Sequence, residues 1–318
     1  MKKITLGALT LLLITTACRD DSYTLSTEST PNLVTPALHT RVSDSQSPLT
    51  GIVEAYPCLQ GSSIYFGNYV NNTLSVFYGF YNVQDGNIVG DNNREVSLPV
   101  GKYNIVYWGT PKYEEPIHTT PAIDEPGLSI GSDLSKLYFG LRQYNKDTTY
   151  IPVYDLVHTN KEVTIGQEDL EANMERVVAG LKVIVKTKNN AVINSNITDM
   201  QVLIGGIAEK INLYTAEPEN KTKTVKFDLV RSVDNTEMSN AMVMVFPSAP
   251  NPLLTLLITL KDGSVHTLSK NLESTLVANT RLTVNIVIGD IFAGGSSGNF
   301  TIDNWNESSE TIEFPVVD

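Results

Sequence analysis

The sequence predicts an all-β protein built of β-sandwiches, and three observations carry that prediction. From Gly51 onward the dominant hydrophobic period is two rather than 3.6. Short segments rich in aromatic and β-branched residues recur along the chain, bounded by Gly, Asn, Asp and Pro. Only one short stretch, 167–173, reads as helix. A length of 318 residues suits about two domains, and 41% hydrophobic with 18% charged residues is the balance of a globular chain.

Residues 1–17 read as a signal peptide. Lys2 and Lys3 supply a positive start, 6–14 an apolar run too short to span a bilayer as a helix, and Thr15, Thr16 and Ala17 bring small side chains up to Cys18. This is the order of a bacterial lipoprotein signal, in which Cys18 receives a diacylglycerol on its sulfur and becomes the first mature residue. No later stretch reaches the ~18 to 20 consecutive apolar residues of a membrane-spanning helix, so the lipid on Cys18 is the expected attachment to a membrane. Residues 18–47 are rich in Ser, Thr, Pro and Asp and bury too little apolar surface to fold alone, so they read as a tether. Its apolar patches, Leu33-Val34 and Ala37-Leu38, are able to add a first strand.

A first sandwich is expected over 48–168. Segments 74–78, 95–98 and 103–108 carry strand residues, Asp85-Gly86-Asn87 is a hairpin signal, and Pro99-Val100-Gly101 turns the chain into the strand at Tyr103. Pro111, Pro116, Pro121 and Pro126 break 110–131 into a surface excursion, and 150–157 and 161–165 resume strand character. A boundary in the region 160–175 then introduces a second sandwich over 169–290. There Leu181, Val183 and Val185 alternate with Lys182 and Lys186, as in a half-buried strand, and 280–288 repeats the pattern. Between them 198–204, 222–229, 241–246, 253–260 and 265–268 are strand candidates, with Asp262-Gly263 as a turn. Residues 291–318 begin with the flexible connector Gly294-Gly295-Ser296-Ser297-Gly298 and end in strand-forming sequence, an element suited to packing on its own domain or being lent to a neighbour.

Charge and cysteine content exclude several functions. With 23 Lys and Arg against 35 Asp and Glu the formal net charge is −12, which repels phosphate backbones, and no basic cluster offsets it, so nucleic acid is not an expected partner. With Cys18 acylated, Cys58 is the one remaining thiol, so neither an intrachain disulfide nor a cysteine metal cage can form. His39, His118, His158 and His266 are scattered without metal-ligand spacing. No nucleophile turn and no phosphate-cradling glycine loop is present. Glu114-Glu115 and Glu168-Asp169 read as solvated charge. The chain is therefore expected to be no enzyme and to need no cofactor or metal. Aromatics are dense in the first half, including Tyr65, Phe66, Tyr69, Phe77, Tyr78, Phe80, Tyr81, Tyr103, Tyr107 and Trp108. Their strand periodicity points to core packing, with an exposed sugar-stacking platform on a surface glycan-binding lipoprotein as the competing reading.

Three motifs carry a resemblance. They are Ser97-Leu98-Pro99-Val100-Gly101-Lys102-Tyr103-Asn104-Ile105-Val106-Tyr107-Trp108-Gly109, then Asn173-Met174-Glu175-Arg176-Val177-Val178-Ala179-Gly180-Leu181-Lys182-Val183, and the terminal Phe300-Thr301-Ile302-Asp303-Asn304-Trp305 followed by 311–316. In these the chain resembles the FimB-like fimbrial anchor family of the Bacteroidetes, within the fimbrillin superfamily. The resemblance implies two tandem transthyretin-like β-sandwich domains after the signal and tether. It also implies a lipid-anchored, surface-exposed outer-membrane protein at the base of a type V pilus, with fimbrial shaft pilins as partners joined by strand exchange. Asp20-Asp21 after Cys18 resembles the acidic export signals of surface lipoproteins in this group. In shaft-forming relatives an arginine-directed protease removes the first strand, and Arg41 stands where such a cut would fall. Cleavage after Arg41 would make this a shaft or tip subunit; an uncut chain would be an anchor.

Overall fold

The structure is a computed structural model that describes residues 31–42, 47–76, 80–89, 96–111, 127–143, 148–187, 190–288 and 304–308, and it is all-β. Cys18, His118 and the Glu114-Glu115 pair lie outside the described residues. The segment read as a tether contributes β1 (Leu33–Val34) and β2 (Leu38–Val42), both built on its apolar patches. β3 (Ser47–Pro48) and β4 (Gly51–Leu59) follow, then a hairpin of β5 (Asn68–Val70) and β6 (Thr73–Ser75). β7 (Tyr81–Gln84) and β8 (Asn87–Ile88) turn through Asp85 and Gly86 at φ 50° and 80°, the left-handed pair that a two-residue hairpin requires. β9 (Leu98–Pro99) pairs with β1, and β10 (Gly101–Pro111) is the long strand expected around Tyr103. A 3-10 turn at Leu134–Lys136 precedes β11 (Tyr138–Gly140), β12 (Val157–Ile165) and β13 (Leu170–Arg176).

The helix expected at 167–173 is not formed; most of that stretch is β13. Glu, Ala, Met and Arg are good helix formers, but the same residues alternate. Leu170, Ala172, Met174 and Arg176 are buried while Glu171, Asn173 and Glu175 face water. Tertiary pairing decides between the two readings, because β13 has strands to join on both sides.

Those pairings close the first sheet. Its strand order is β13-β12-β10-β4-β7-β8-β2-β3, and β13 also pairs with β2, so the strands from β13 to β2 form a ring. Every neighbouring pair in the ring is antiparallel except the closure, where β2 and β13 run parallel from Leu38↔Leu170 to Val42↔Met174. Closure removes the unpaired edges that an open sheet would expose. The interior is filled by Leu38, Val53, Ile105, Tyr107, Val163 and Leu170 with their neighbours.

The remaining strands build the second half. β14 (Ala179–Thr187), β15 (Ile197–Asn212), β16 (Pro218–Arg231), β17 (Glu237–Ser239) and β18 (Val243–Val245) precede β19 (Leu253–Leu260), β20 (Val265–Asn271), β21 (Arg281–Ile288) and β22 (Asn304–Ser308). The sheet runs β20-β19-β15-β16-β17-β14-β21-β22, with β11 added to β15 and β18 to β14. Strand β15 is far longer than its sequence pattern suggested because it passes through a bulge between Ile204 and Ile207, where Gly206 takes φ 70°. Leu181, Val183 and Val185 face the core and Lys182 and Lys186 do not, as the alternation predicted.

Candidate functional site

The feature that bears most directly on function is the seam where β2 meets β13, because it holds Arg41. Leu38, Thr40 and Val42 point into the ring and are only 5%, 4% and 4% exposed, leaving His39 and Arg41 on the outside. On one side the whole of β2 pairs with β13; on the other, His39 pairs with Asn87, and Arg41 and Val42 pair with Pro48 and Ser47. The strand is fixed at its start by Asp169, whose Oδ1 accepts from the Ala37 amide at 3.2 Å, while the Leu170 amide donates to the Ala37 carbonyl at 2.8 Å. Glu168 likewise accepts from the Thr164 amide at 2.7 Å. The Glu168-Asp169 pair is exposed, as its reading as solvated charge expects, and also accepts from backbone donors where β12 turns into β13 and where β2 begins.

Two further contacts tighten the seam. Arg41 donates from Nε to Oδ1 of Asn173, its register partner on β13. The Thr40 amide donates to the Gly86 carbonyl at 3.0 Å, and a Cβ at Gly86 would lie 2.8 Å from the Thr40 carbonyl oxygen, so only glycine lets the β7–β8 turn approach this closely. The bond between Arg41 and Val42 therefore lies inside a strand that is paired on both edges.

The other end of the described chain is strand β22, which covers β21 antiparallel from Val287↔Asn304 to Thr283↔Ser308. β21 in turn runs parallel to β14 over eight register positions from Gly180↔Arg281 to Thr187↔Ile288.

Trp108 joins the two halves. On β10 it faces away from the ring interior and packs edge-on against Phe139 with ring centroids 4.8 Å apart. Its indole Nε1 donates to the Leu213 carbonyl at 2.8 Å. His158 lies 4.7 Å from the same ring, and its burial pushes the imidazole down to about 4. Both faces of β4 and β10 are covered, the inner by the ring core and the outer by a core shared with the second half.

Of the eight described aromatic residues singled out in the first half, five belong to the core. Tyr65, Tyr81, Tyr103, Tyr107 and Trp108 are buried, Phe66 and Tyr69 are half-buried, and Phe80 is exposed at 38%. Phe77 and Tyr78 lie outside the described residues. No row of exposed rings forms among the described ones.

Among the described residues no cluster of His, Cys, Asp and Glu is arranged to hold a metal ion. Cys58 is fully buried and its thiol is pushed up to about 12, mainly by that burial, which leaves it unreactive. Asp133 is held well below the usual carboxylate range by the hydroxyls of Ser135 and Ser63, but its task is to cap the 3-10 turn. The buried pair Asp155 and Arg176, at 3.1 Å, ties the stretch before β12 to the end of β13. Among the described residues no helix is long and apolar enough to cross a membrane.

Comparison with known proteins agrees with this picture. A family model described as fimbrillin-A associated anchor proteins Mfa1 and Mfa2 matches residues 18–311. Among solved structures, the fold is similar to the fimbrial anchor protein Mfa2 from Porphyromonas gingivalis, with a TM-score of 0.52 at 11% identity over 88% of this chain and 99% of that one. It is also similar to a candidate adhesin from Bacteroides ovatus, with a TM-score of 0.54 at 10% identity over 87% of this chain and 97% of the other. No curated protein matches the sequence.

Proposed function

Because the chain belongs to the family of fimbrillin-A associated anchor proteins, we propose that it is a fimbrium anchoring subunit, tethered to the outer membrane by lipid on Cys18 and holding a shaft pilin at the cell surface. The family is one of fimbrium-associated structural proteins rather than of enzymes. The signal-like start leading to Cys18 supports the lipid, and 18–32 supply the tether between that lipid and the first strand. Attachment to the pilin is by strand exchange. An extended segment of one subunit supplies both backbone hydrogen bonds and alternating side chains to an open sheet edge of the other. The tail beyond β21 is the segment of this chain that takes part.

The observation that carries the anchoring reading over a shaft or tip role is the match of residues 18–311 to the family of anchor proteins. A subunit matured by cleavage after Arg41 would surrender β2, in which Arg41 pairs with Asn173 on one edge and Pro48 on the other. An uncut chain keeps its covalent link to the lipid. Mass spectrometry of the N-terminus, on protein recovered from fimbriated outer membranes, tests the proposal. A diacylated Cys18 at the N-terminus of the assembled protein is the expected result. A mature chain beginning at Val42 would reassign it as a polymerising subunit.

A further inference from the structure

Two ladders among the described strands run parallel, β2 with β13 and β14 with β21. They occupy related places in the chain. The tether leads into the N-terminal end of β2, and β13 leaves at its C-terminal end almost directly into β14, with only Val177 and Val178 between. β21 then leaves at its C-terminal end toward the tail.

Direction is what matters under load. When the two ends of the molecule are drawn apart, β2 is pulled toward its N-terminus and β13 toward its C-terminus. In a parallel pair those pulls oppose each other along the strand axis, so the ladder is sheared and its bonds must fail together. The same holds for β14 and β21. An antiparallel hairpin pulled from its open end instead loses its bonds one at a time. We propose that the two parallel ladders are shear clamps in series, which carry tension from tether to tail through β2, β13, β14 and β21.

The side chains favour this role. Across the first clamp Leu38 and Val42 on β2 and Leu170, Ala172 and Met174 on β13 share the ring core, and across the second Leu181, Val183 and Val185 share theirs with Leu282, Val284 and Ile286. Sliding either pair must drag these groups past their packing partners as well as break backbone bonds. The first clamp has five register pairs and the second eight, so the first yields before the second. By comparison β22 meets the load at its C-terminal end and peels from β21 in the antiparallel sense.

The inference rests on the anchoring reading only for the source of the load, and its test is made on the isolated chain, so either can fail without the other. Single molecules are stretched by their two termini. Two abrupt steps are expected at high force, the first releasing chain on the order of 450 Å long as the ring opens and the second on the order of 350 Å. A second geometry needs no destabilising change. A handle on Val192→Cys, in the exposed stretch after β14, pulled against the C-terminus draws β14 and β21 apart from the same end and unzips them. That rupture force is expected to be clearly lower than in the end-to-end geometry. Asn173→Pro, on the outer face of β13, should lower the first end-to-end step and leave the Val192 geometry unchanged. Equal rupture forces in the two geometries, or gradual lengthening without steps between the termini, would overturn the proposal, because forced unfolding reads the barrier in the direction of pull.

Discussion

An arginine-specific protease given the folded protein should spare the bond between Arg41 and Val42 under conditions in which it cuts the denatured chain. A protease needs this bond in an extended, free strand, so β2 must first leave both its ladders. Leaving brings Leu38 and Val42 into water from 5% and 4% exposure. At roughly 1.5 to 3 kcal/mol for each large aliphatic side chain, opening costs about 3 to 6 kcal/mol before any hydrogen bond is counted. One factor of ten corresponds to about 1.4 kcal/mol, so the strand is free in roughly one molecule in 10² to 10⁴. When opening and closing are fast relative to cleavage, the rate falls by the same factor. The assay is a digestion time course that compares the native chain with a synthetic peptide spanning 36–46, with products identified by N-terminal sequencing. A new N-terminus at Val42 appearing within tenfold of the peptide rate would refute the claim that pairing locks this strand.

Replacing Cys18 by Ala should release the protein, together with any fimbriae it holds, into the medium; retention on the cell surface, followed by surface labelling, would sink the lipid anchor. Removing 299–318 takes away β22, and the truncated protein should remain on the membrane but lose its hold on fimbriae, which electron microscopy of cells and shed filaments would read. Trp108→Phe leaves the buried Leu213 carbonyl without its 2.8 Å donor and should cost about 2 kcal/mol, seen as a lower urea midpoint with little change in slope. His158 contributes a pH dependence of known sign. Its imidazole is held neutral in the fold down to about 4, whereas in the unfolded chain it takes up a proton below about 6.5. Stability from this group is therefore complete above the unfolded value and is lost, by up to about 3 kcal/mol, as pH falls from 6.5 to 4. Urea titrations across that range should show the slope, and His158→Gln should flatten it.

Much of the architecture is written in local alternation. Strands β14 and β21 follow their apolar positions residue by residue, and the turns at Asp85-Gly86 and Asp262-Gly263 fall where their dipeptides placed them. Segment 170–176 shows where local reading fails. Its residues satisfy both a helical propensity and a two-residue period, and the choice is made by β2, which is 132 positions away in sequence. The same distance hid the setting of Arg41. The sequence supplies an arginine in a polar stretch, but besides nearby Pro48 its pairing comes from Asn173, 132 positions on, which no short window contains. Trp108 was readable as a strand residue, while its indole bond to Leu213, 105 positions on, was not.

The parallel closure also orders events in time. Leu38–Val42 is among the first strands to emerge from synthesis, yet its partner Leu170–Arg176 comes more than a hundred residues later. Closing so long a loop carries a large entropic cost and slows folding relative to local hairpins. Until that late partner arrives, β2 has partners on one edge alone, and the N-terminal segment stays more available to whatever enzymes process it. The ring thus sets a deadline for processing: modification at the N-terminus is easy while the chain is growing or crossing a membrane, and becomes difficult once β13 has docked.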